Sequence, residues 1–218
     1  MYRCIIFDLD GTLLNTLCDL AAAVNYSLLL HSLPSRTQDE VRSFIGDGVT
    51  KLIERAVPTG TPKDITAAVL SDFKNYYAEH CEDLTSPYPD ILPLLYELKK
   101  HGILTGIVSN KFDAAVKALS AHYFQDLIDV AVGERESEGI RKKPAPDTLW
   151  IAMKELGVSP TETLYVGDAD TDILTAKAAG VECASVTWGF RDRDFLVSHG
   201  ASVLVDTPYA LLSLITKG

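Results

Sequence analysis

The second half of the chain alternates between short apolar runs and segments of helical periodicity, and this alternation limits the possible folds more than any other feature. Such a pattern is typical of a parallel β-sheet that helices cover on both faces. We predict strands at residues 103–109, 127–133, 163–167, 183–187 and 202–205. Two of the intervening helices are expected to end at Gly157 and Gly180, because glycine readily adopts the left-handed conformation that follows many helices.

A further apolar run, Cys4–Phe7, precedes this region, and four segments with helical periodicity lie between the two. In one of these segments, Thr37 and Glu40 occupy the positions of a capping box. Another is expected to begin with Thr61 as its N-cap and Pro62 at its first helical position. The sequence therefore predicts one strand, then a helical block, then the rest of the sheet.

This order of segments indicates two domains. We predict a catalytic α/β core of residues 1–14 and 83–218, with a Rossmann-like parallel sheet in an α/β/α sandwich. Residues 15–82 are expected to form an all-helical cap that is inserted after the first strand. The chain passes between core and cap twice, and we expect the two crossings to act as a hinge.

Composition excludes several classes of partner. The chain has 30 acidic and 20 basic residues, a formal charge of -10, so its overall field repels nucleic acids and anionic membranes. Its four cysteines have no CxxC spacing, which argues against a zinc site and a disulfide framework and fits a reducing compartment. No apolar stretch is long enough to span a bilayer, and the N-terminal apolar run is too short for a signal peptide. We therefore predict a cytoplasmic protein.

Polar residues follow several of the predicted strands. In an open α/β sheet, the carboxyl ends of the strands form the functional edge, so these residues are expected to converge there. They are Asp8 and Asp10, Ser109 and Asn110, Lys143 in the following loop, and Asp168, Asp170 and Asp172. Carboxylates gathered at the ends of buried strands are costly unless other charges compensate them.

A bound cation is the natural compensation, and a set of oxygen ligands favours Mg²⁺ over zinc. A magnesium site suits phosphate substrates, for which Ser109 and Lys143 would supply a hydroxyl donor and a positive charge. One of the first two aspartates could attack phosphorus, and the other could transfer a proton to the leaving oxygen. The residue types alone predict this division of labour.

Four segments in this order, DLDGT, the serine of IVSN, the lysine of KKPAPD, and GDADTD, resemble the four motifs of the haloacid dehalogenase superfamily of aspartate-nucleophile phosphatases. The resemblance covers the whole chain, with the helical block where that superfamily places its cap. The segments FIGDGVTKLIERA, SPYPDILPLLYELKKHG, VSNK and WGFRDRDFLVSHGASVLVDTP are more closely similar to phosphoglycolate phosphatases.

The resemblance implies particular roles for the aspartates. Asp8 would be the nucleophile and a ligand of Mg²⁺. Asp10 would be the general acid and base, with its backbone carbonyl on the metal. Asp168 would be the second carboxylate ligand, and Asp172 would support it directly or through water.

The resemblance also implies the contacts of the substrate. Ser109 and Lys143 would hold the transferred phosphoryl group, and we predict further substrate contacts for Thr12 and Asn110. The expected substrate is a small phosphorylated metabolite, with 2-phosphoglycolate as the best guess, and the expected assembly is a monomer or a homodimer.

A second anion site is one of two interpretations of the cap. Gly46 and Gly48 precede a helix that carries Lys51 and Arg55 on one face, so a carboxylate of the substrate could bind there. Alternatively, Lys51, Glu54 and Arg55 form a solvated face with local ion pairs. The sequence favours neither interpretation.

Other functions could use some of the same residues. A phosphosugar mutase of the β-phosphoglucomutase type would use the same four motifs, and a phospho-accepting regulatory module would gather similar residues without needing a cap. A dehalogenase is disfavoured because its chemistry needs no acid/base at Asp10. An EF-hand is excluded because Ile173 and Ala179 replace the glycine and glutamate that its loop requires. Asp170 is assigned a solvated or loop-capping role.

Overall fold

The computed structural model describes residues 2–216. Its strands are β1 (Cys4–Phe7), β2 (Leu14–Asn15), β3 (Ser86–Pro87), β4 (Leu104–Phe112), β5 (Val130–Glu134), β6 (Thr163–Gly167), β7 (Glu182–Val186) and β8 (Val203–Val205). Its α-helices are α1 (Leu17–Leu30), α2 (Gln38–Phe44), α3 (Val49–Ala56), α4 (Lys63–His80), α5 (Ile91–Lys100), α6 (Asp113–Tyr123), α7 (Asp147–Leu156), α8 (Asp170–Ala179), α9 (Arg193–Ser198) and α10 (Pro208–Thr216). Short 3₁₀ helices cover Gln125–Leu127, Glu136–Glu138 and Pro160–Glu162.

The chain forms two compact units, one that runs up to Leu14 and resumes at Pro87, and one of residues Asn15–Ser86. The first unit contains a six-stranded sheet in the order β5-β4-β1-β6-β7-β8, with every neighbouring pair parallel. After β1, the next two strands of this sheet, β4 and β5, lie on one side of β1, and β6, β7 and β8 lie on the other. In such sheets the crevice forms at the carboxyl ends of the strands where this reversal occurs, here those of β1, β4 and β6.

Helices cover both faces of the sheet. All four side chains of β1 are buried, although successive side chains of a strand point to opposite faces. On one face, Ile6 and Val108 belong to a hydrophobic cluster with Leu149 of α7 and Ala176 of α8. The predicted fold class, a Rossmann-like α/β sheet with a helical insertion, is confirmed.

The second unit consists of α1 to α4, which bury side chains such as Val24, Ile53 and Phe73. The predicted capping box is present, because Thr37 Oγ1 accepts from the backbone N–H of Glu40 and the Glu40 side chain accepts from that of Thr37. That this unit acts as a cap stays a prediction.

Some element boundaries differ from the prediction. Helix α4 begins at Lys63, because Pro62 has an extended ψ of 145° and serves as its N-cap, while Thr61 Oγ1 donates to the Pro58 carbonyl at 2.7 Å. Strand β4 continues past residue 109 to Phe112. Helices α9 and α10 were not predicted, whereas α7 and α8 end at glycines with positive φ as expected.

Among residues 2–216, no helix is long and apolar enough to cross a membrane.

Candidate active site

Three carboxylates lie together at the carboxyl edge of the sheet. Asp8 follows β1, Asp168 follows β6, and Asp172 lies in the first turn of α8. One oxygen from each carboxylate can be chosen so that all three atoms lie within 4.8 Å of one another. All three residues are buried, and Asp172 has no exposed surface. The structure thus brings together three of the four predicted metal-binding aspartates.

Asp172 is held by protein groups on both of its oxygens. Its Oδ2 accepts hydrogen bonds from the backbone N–H groups of Asp168 and Ala169, at 3.1 and 3.0 Å, which caps the start of α8. Its Oδ1 contacts Lys143 Nζ at 2.7 Å and accepts from the Tyr165 hydroxyl at 3.1 Å. Asp172 therefore connects the loop after β6 to Lys143 and helps to keep both in place.

Lys143 is a fully enclosed cation, with 1% of its side chain exposed. Its Nζ lies 2.9 Å from Asp8 Oδ1 and 2.7 Å from Asp172 Oδ1. Burial by itself lowers the pKa of Lys143, but the charges of Asp172 and Asp8 outweigh it and raise the pKa above its ordinary value. Asn110 Nδ2 donates to the Lys143 carbonyl at 3.1 Å and so fixes the backbone from which this ammonium extends.

The cluster contains more negative charge than Lys143 can balance. Burial, together with the charge of Asp172, raises the pKa of Asp168 from 3.8 to about 7. Burial also raises the pKa of Asp8 well above its ordinary value, even though Lys143 opposes the shift. With all three carboxylates ionised, one lysine leaves two negative charges uncompensated in a buried site, where isolated charges are costly. An all-oxygen donor set with this excess charge fits a hard divalent cation.

The loop after β1 holds Asp168 from one side. Thr12 Oγ1 donates to Asp168 Oδ1 at 3.1 Å, and Thr12 is fully buried. This hydrogen bond orients the Asp168 carboxylate, and the predicted contact of Thr12 with the substrate stays a prediction. Gly11 has a φ of +86°, and a Cβ built there would overlap the Asp168 carboxylate. Glycine is therefore required for this close approach.

The segment after β7 holds Asp168 from the other side. The backbone N–H of Phe190 donates to Asp168 Oδ2 at 2.7 Å. Trp188 Nε1 donates to the Thr12 carbonyl at 3.0 Å and joins the two loops. The WGF sequence in this segment supported a family resemblance, but the residue types alone gave no sign of these contacts.

Strand β4 contributes both predicted and unpredicted residues to the carboxyl edge of the sheet. Ser109 is buried, and its Oγ accepts from the backbone N–H of Lys111 at 3.3 Å. Lys111, which the sequence-based prediction missed, places its Nζ 2.8 and 2.9 Å from the two carboxylate oxygens of Asp10. No local pattern indicated this contact, because Lys111 lies where the register between β4 and β5 is irregular and its partner Asp10 is 101 residues away in the chain.

Asp10 therefore lies apart from the three clustered carboxylates, with its side chain on Lys111. The predicted contact of its backbone carbonyl with a cation stays a prediction. Asp170 is half-buried and is not one of the three clustered carboxylates, and the solvated or loop-capping role assigned to it stays a prediction.

In the helical unit, the cations considered for a second anion site form ion pairs. Lys51 Nζ lies 2.6 Å from Glu54 Oε2, and Arg55 pairs with Asp47 and donates to the Phe44 carbonyl at 2.8 Å. Gly48 precedes α3 as its N-cap with a φ of +85°. These contacts match the alternative of a solvated, ion-paired face, and substrate binding by these residues stays a prediction.

Comparison with known proteins identifies relatives along most of the chain. A family model described as haloacid dehalogenase-like hydrolase matches residues 5–186. Phosphoglycolate phosphatase 1 of Pseudomonas aeruginosa is 33% identical in an alignment 220 positions long, which covers 96% of this chain and 78% of that protein. N-acetylmuramic acid 6-phosphate phosphatase of the same bacterium is 30% identical in an alignment 224 positions long, which covers 99% of this chain and 95% of that protein.

A solved structure shows the same similarity in three dimensions. The crystal structure of a protein from Lactobacillus delbrueckii subsp. bulgaricus, provisionally named a phosphoglycolate phosphatase, superposes with a TM-score of 0.91. The two chains are 36% identical, and the match covers 98% of each. The similarity therefore extends over both units of the chain.

Proposed function

We propose that this chain, which belongs to the haloacid dehalogenase-like hydrolases and is a phosphatase, hydrolyses a small phosphorylated metabolite with Mg²⁺ through an aspartyl-phosphate intermediate. One observation carries the mechanism: the Asp8 carboxylate lies at the end of β1 against the buried Lys143 ammonium, with Asp168 and Asp172 beside it. Such an arrangement can orient a carboxylate nucleophile and balance the charge of a phosphoryl group.

Asp8 and Asp168 would hold the magnesium ion. Asp172 would support Asp168 by accepting a hydrogen bond from the Asp168 backbone N–H. When bound, Mg²⁺ would screen the carboxylates from the phosphoryl oxygens and stabilise the charge that develops on them. The excess of carboxylates over Lys143 and the raised pKa values of Asp8 and Asp168 support this assignment.

Asp8 would act as the nucleophile. Within the described chain, its Oδ1 takes contacts from Lys143 Nζ at 2.9 Å and from the Leu9 N–H at 2.7 Å, so we assign the attack to Oδ2. The Oδ2–P bond forms as the ester P–O bond breaks, and the electron pair of that bond stays with the leaving oxygen. The Ser109 hydroxyl and Lys143 would orient the phosphoryl oxygens during this transfer.

Asp10 would supply the proton transfers. In the first step its carboxyl gives a proton to the leaving oxygen, and in the second its carboxylate takes a proton from the attacking water. The water oxygen bonds to phosphorus as the P–Oδ2 bond breaks, which releases phosphate and regenerates the Asp8 carboxylate. The same group thus serves both steps because each step leaves it in the form that the other needs.

The substrate assignment rests on the relatives. Their names give two substrates, phosphoglycolate and N-acetylmuramic acid 6-phosphate, and we propose 2-phosphoglycolate as the first candidate. Its carboxylate would offer a second anion, for which Lys51 and Arg55 stay the predicted partners. Replacement of Lys51 by methionine is then expected to raise KM for 2-phosphoglycolate and to leave KM for p-nitrophenyl phosphate unchanged.

Turnover of p-nitrophenyl phosphate with Mg²⁺ tests the mechanism. The wild-type protein should release many equivalents of phosphate, and Asp8→Asn should reduce kcat by at least about 10⁴-fold, since it removes the nucleophile. Asp170→Asn is the matched control, because it makes the same chemical change outside the buried cluster and should keep near-wild-type activity. Activity of Asp8→Asn near that of the wild type would contradict the mechanism, and a single stoichiometric phosphorylation would indicate a regulatory module.

A screen of phosphorylated metabolites then tests the substrate. It should contain 2-phosphoglycolate, N-acetylmuramic acid 6-phosphate and phosphosugars, with phosphate release as the measurement. We expect the highest kcat/KM for 2-phosphoglycolate. Isomerisation of a phosphosugar without net phosphate release would instead indicate a mutase.

A further inference from the structure

A second buried lysine lies at the carboxyl edge of the sheet. Lys111 has 4% of its side chain exposed, and its Nζ contacts both carboxylate oxygens of Asp10, at 2.8 and 2.9 Å. Asp10 is partly open, with 15% of its side chain exposed. A charged contact to both oxygens holds the carboxyl group of Asp10 at a fixed place on this edge of the sheet.

The local backbone explains how Lys111 reaches this position. Along β4, Val108 pairs with Val132 and Phe112 pairs with Glu134, so four residue steps on one strand oppose two on its neighbour. This irregularity lies across Ser109 and Lys111, at a place in the sheet where bulges often redirect side chains. The same short segment therefore presents a hydroxyl and an ammonium to the site.

The two buried lysines serve different carboxylates. Lys143 lies between Asp8 and Asp172, whereas Lys111 contacts Asp10. Burying a lysine side chain is costly unless a paired charge compensates it. An apolar residue at the same position of the strand would avoid this cost. The arrangement gives the proposed nucleophile and the proposed proton donor separate cationic partners, so the two carboxylates do not compete for one ammonium.

We propose that Lys111 is a positioning residue that holds the Asp10 carboxyl group in the orientation required for proton transfer. The proposal rests on the phosphatase mechanism assigned above. When the leaving oxygen approaches, it accepts a hydrogen bond from the protonated oxygen of Asp10. The other oxygen of Asp10 still accepts a hydrogen bond from Lys111 Nζ. The proton moves from Asp10 to the leaving oxygen as the ester P–O bond breaks, and water later returns a proton to Asp10.

The dependence on the leaving group distinguishes this role from a structural one. An alkoxide leaves poorly without a proton, whereas p-nitrophenolate leaves readily without one, so misplacing the acid penalises alkyl esters selectively. The quantity to compare is kcat/KM, because it reports the steps up to loss of the leaving group. The ratio of kcat/KM for two esters, measured on one preparation, is independent of the fraction of folded protein.

We therefore expect Lys111→Met to lower kcat/KM for glycerol 2-phosphate by about 10- to 100-fold, a part of what general acid catalysis contributes. For p-nitrophenyl phosphate, kcat/KM should change by less than about 3-fold, while kcat and KM fall together because the later water step still needs Asp10 as a base. Lys111→Arg should restore much of the alkyl activity. Lys117→Met is the control, because it breaks an ion pair between Lys117 and Asp113 on α6 at the protein surface. It should leave kcat/KM unchanged for each of the two esters.

Equal losses of kcat/KM for both esters, or no loss for either, would overturn the proposal. A rise in KM alone, the same for both esters, would make Lys111 a substrate-binding residue and would also overturn it. If Lys111→Met is insoluble, Lys111→Gln provides the same comparison with a neutral side chain of similar length. A wild-type protein that hydrolyses neither ester would instead refute the phosphatase mechanism, and the role of Lys111 with it.

Discussion

The carboxylate cluster makes stability depend on pH in a direction that is unusual for acidic residues. The pKa of Asp168 rises from 3.8 to about 7 on folding, chiefly because of burial. The folded protein therefore binds a proton more tightly than the unfolded chain does, so the stabilisation is complete below pH 4 and is lost as the pH rises through 7. At 1.36 kcal/mol per pKa unit, the whole loss is roughly 4 kcal/mol, and roughly 2–3 kcal/mol of it falls between pH 5 and 8. Asp8, whose pKa is also raised, adds a loss of the same sign.

A divalent cation should remove this loss. Mg²⁺ binds the ionised carboxylates of the folded state, and a ligand that binds only the folded state stabilises it in proportion to the logarithm of its concentration over Kd. We therefore expect the free energy of unfolding to fall between pH 5 and 8 in the presence of a chelator. In the presence of saturating Mg²⁺ the free energy at pH 8 should recover.

Urea denaturation followed by circular dichroism measures both effects. The Asp168→Asn variant should lose the share of the pH dependence that belongs to Asp168, roughly 2–3 kcal/mol over this range, and most of the stabilisation by Mg²⁺, while the share of Asp8 remains. Asp170→Asn, which changes a carboxylate outside the cluster, should behave like the wild type. If the chelated wild type were equally stable at pH 5 and 8, or if Asp168→Asn kept the full pH dependence, the assignment of Asp168 as an undercompensated carboxylate would be refuted.

Three further substitutions test individual contacts of the site. Lys143→Met should abolish turnover and lower the free energy of unfolding by about 3–5 kcal/mol in urea denaturation, because it leaves Asp8 and Asp172 without their buried partner. Added Mg²⁺ should recover part of this loss, and a loss below about 1 kcal/mol would contradict the pairing. Tyr165→Phe removes a hydroxyl that contacts Lys143 Nζ and Asp172 Oδ1, so we expect a loss of about 1–3 kcal/mol by the same assay, and an unchanged stability would show that this contact is dispensable. Gly11→Ala should weaken stabilisation by Mg²⁺ in thermal melts, since the new Cβ displaces the Asp168 carboxylate; melts identical to those of the wild type would argue against that displacement.

The sheet and its helices could be predicted because their signals are local. Apolar runs bounded by turns and helices that end in glycine follow from neighbouring residues, so the core strands and the ends of α7 and α8 were identified. The extension of β4 to Phe112 could not be predicted, because the added residues Asn110 and Lys111 are polar and Phe112 pairs with β5 only across an irregular register. Polar residues inside a strand look like a loop when only their neighbours in sequence are considered.

The site could be predicted only where a motif marked it. Asp8, Lys143 and Asp168 stand at strand ends or in a recognisable segment, and the structure brings them together. Tyr165 carries no such mark, because it lies inside the apolar strand β6. Lys111 ends the VSNK segment, which supported the resemblance but assigned no role to this lysine. Their roles depend on partners 7 to 101 residues away in the chain, such as Asp172 and Asp10, which no local pattern specifies.

The residues that surround the carboxylates share one physical task, which is to satisfy the charges that the chemistry requires. A nucleophilic aspartate and its metal ligands must be ionised in a place from which water is largely excluded, and each charge there needs donors in fixed positions. Thr12, Phe190 N–H and Tyr165 supply neutral donors, while Lys111 and Lys143 supply charge. A motif therefore shows which atoms react, but the surrounding donors determine whether those atoms are ionised and correctly oriented. For this reason, the variants that best separate proton transfer from folding lie at Lys111, outside the recognisable motif residues.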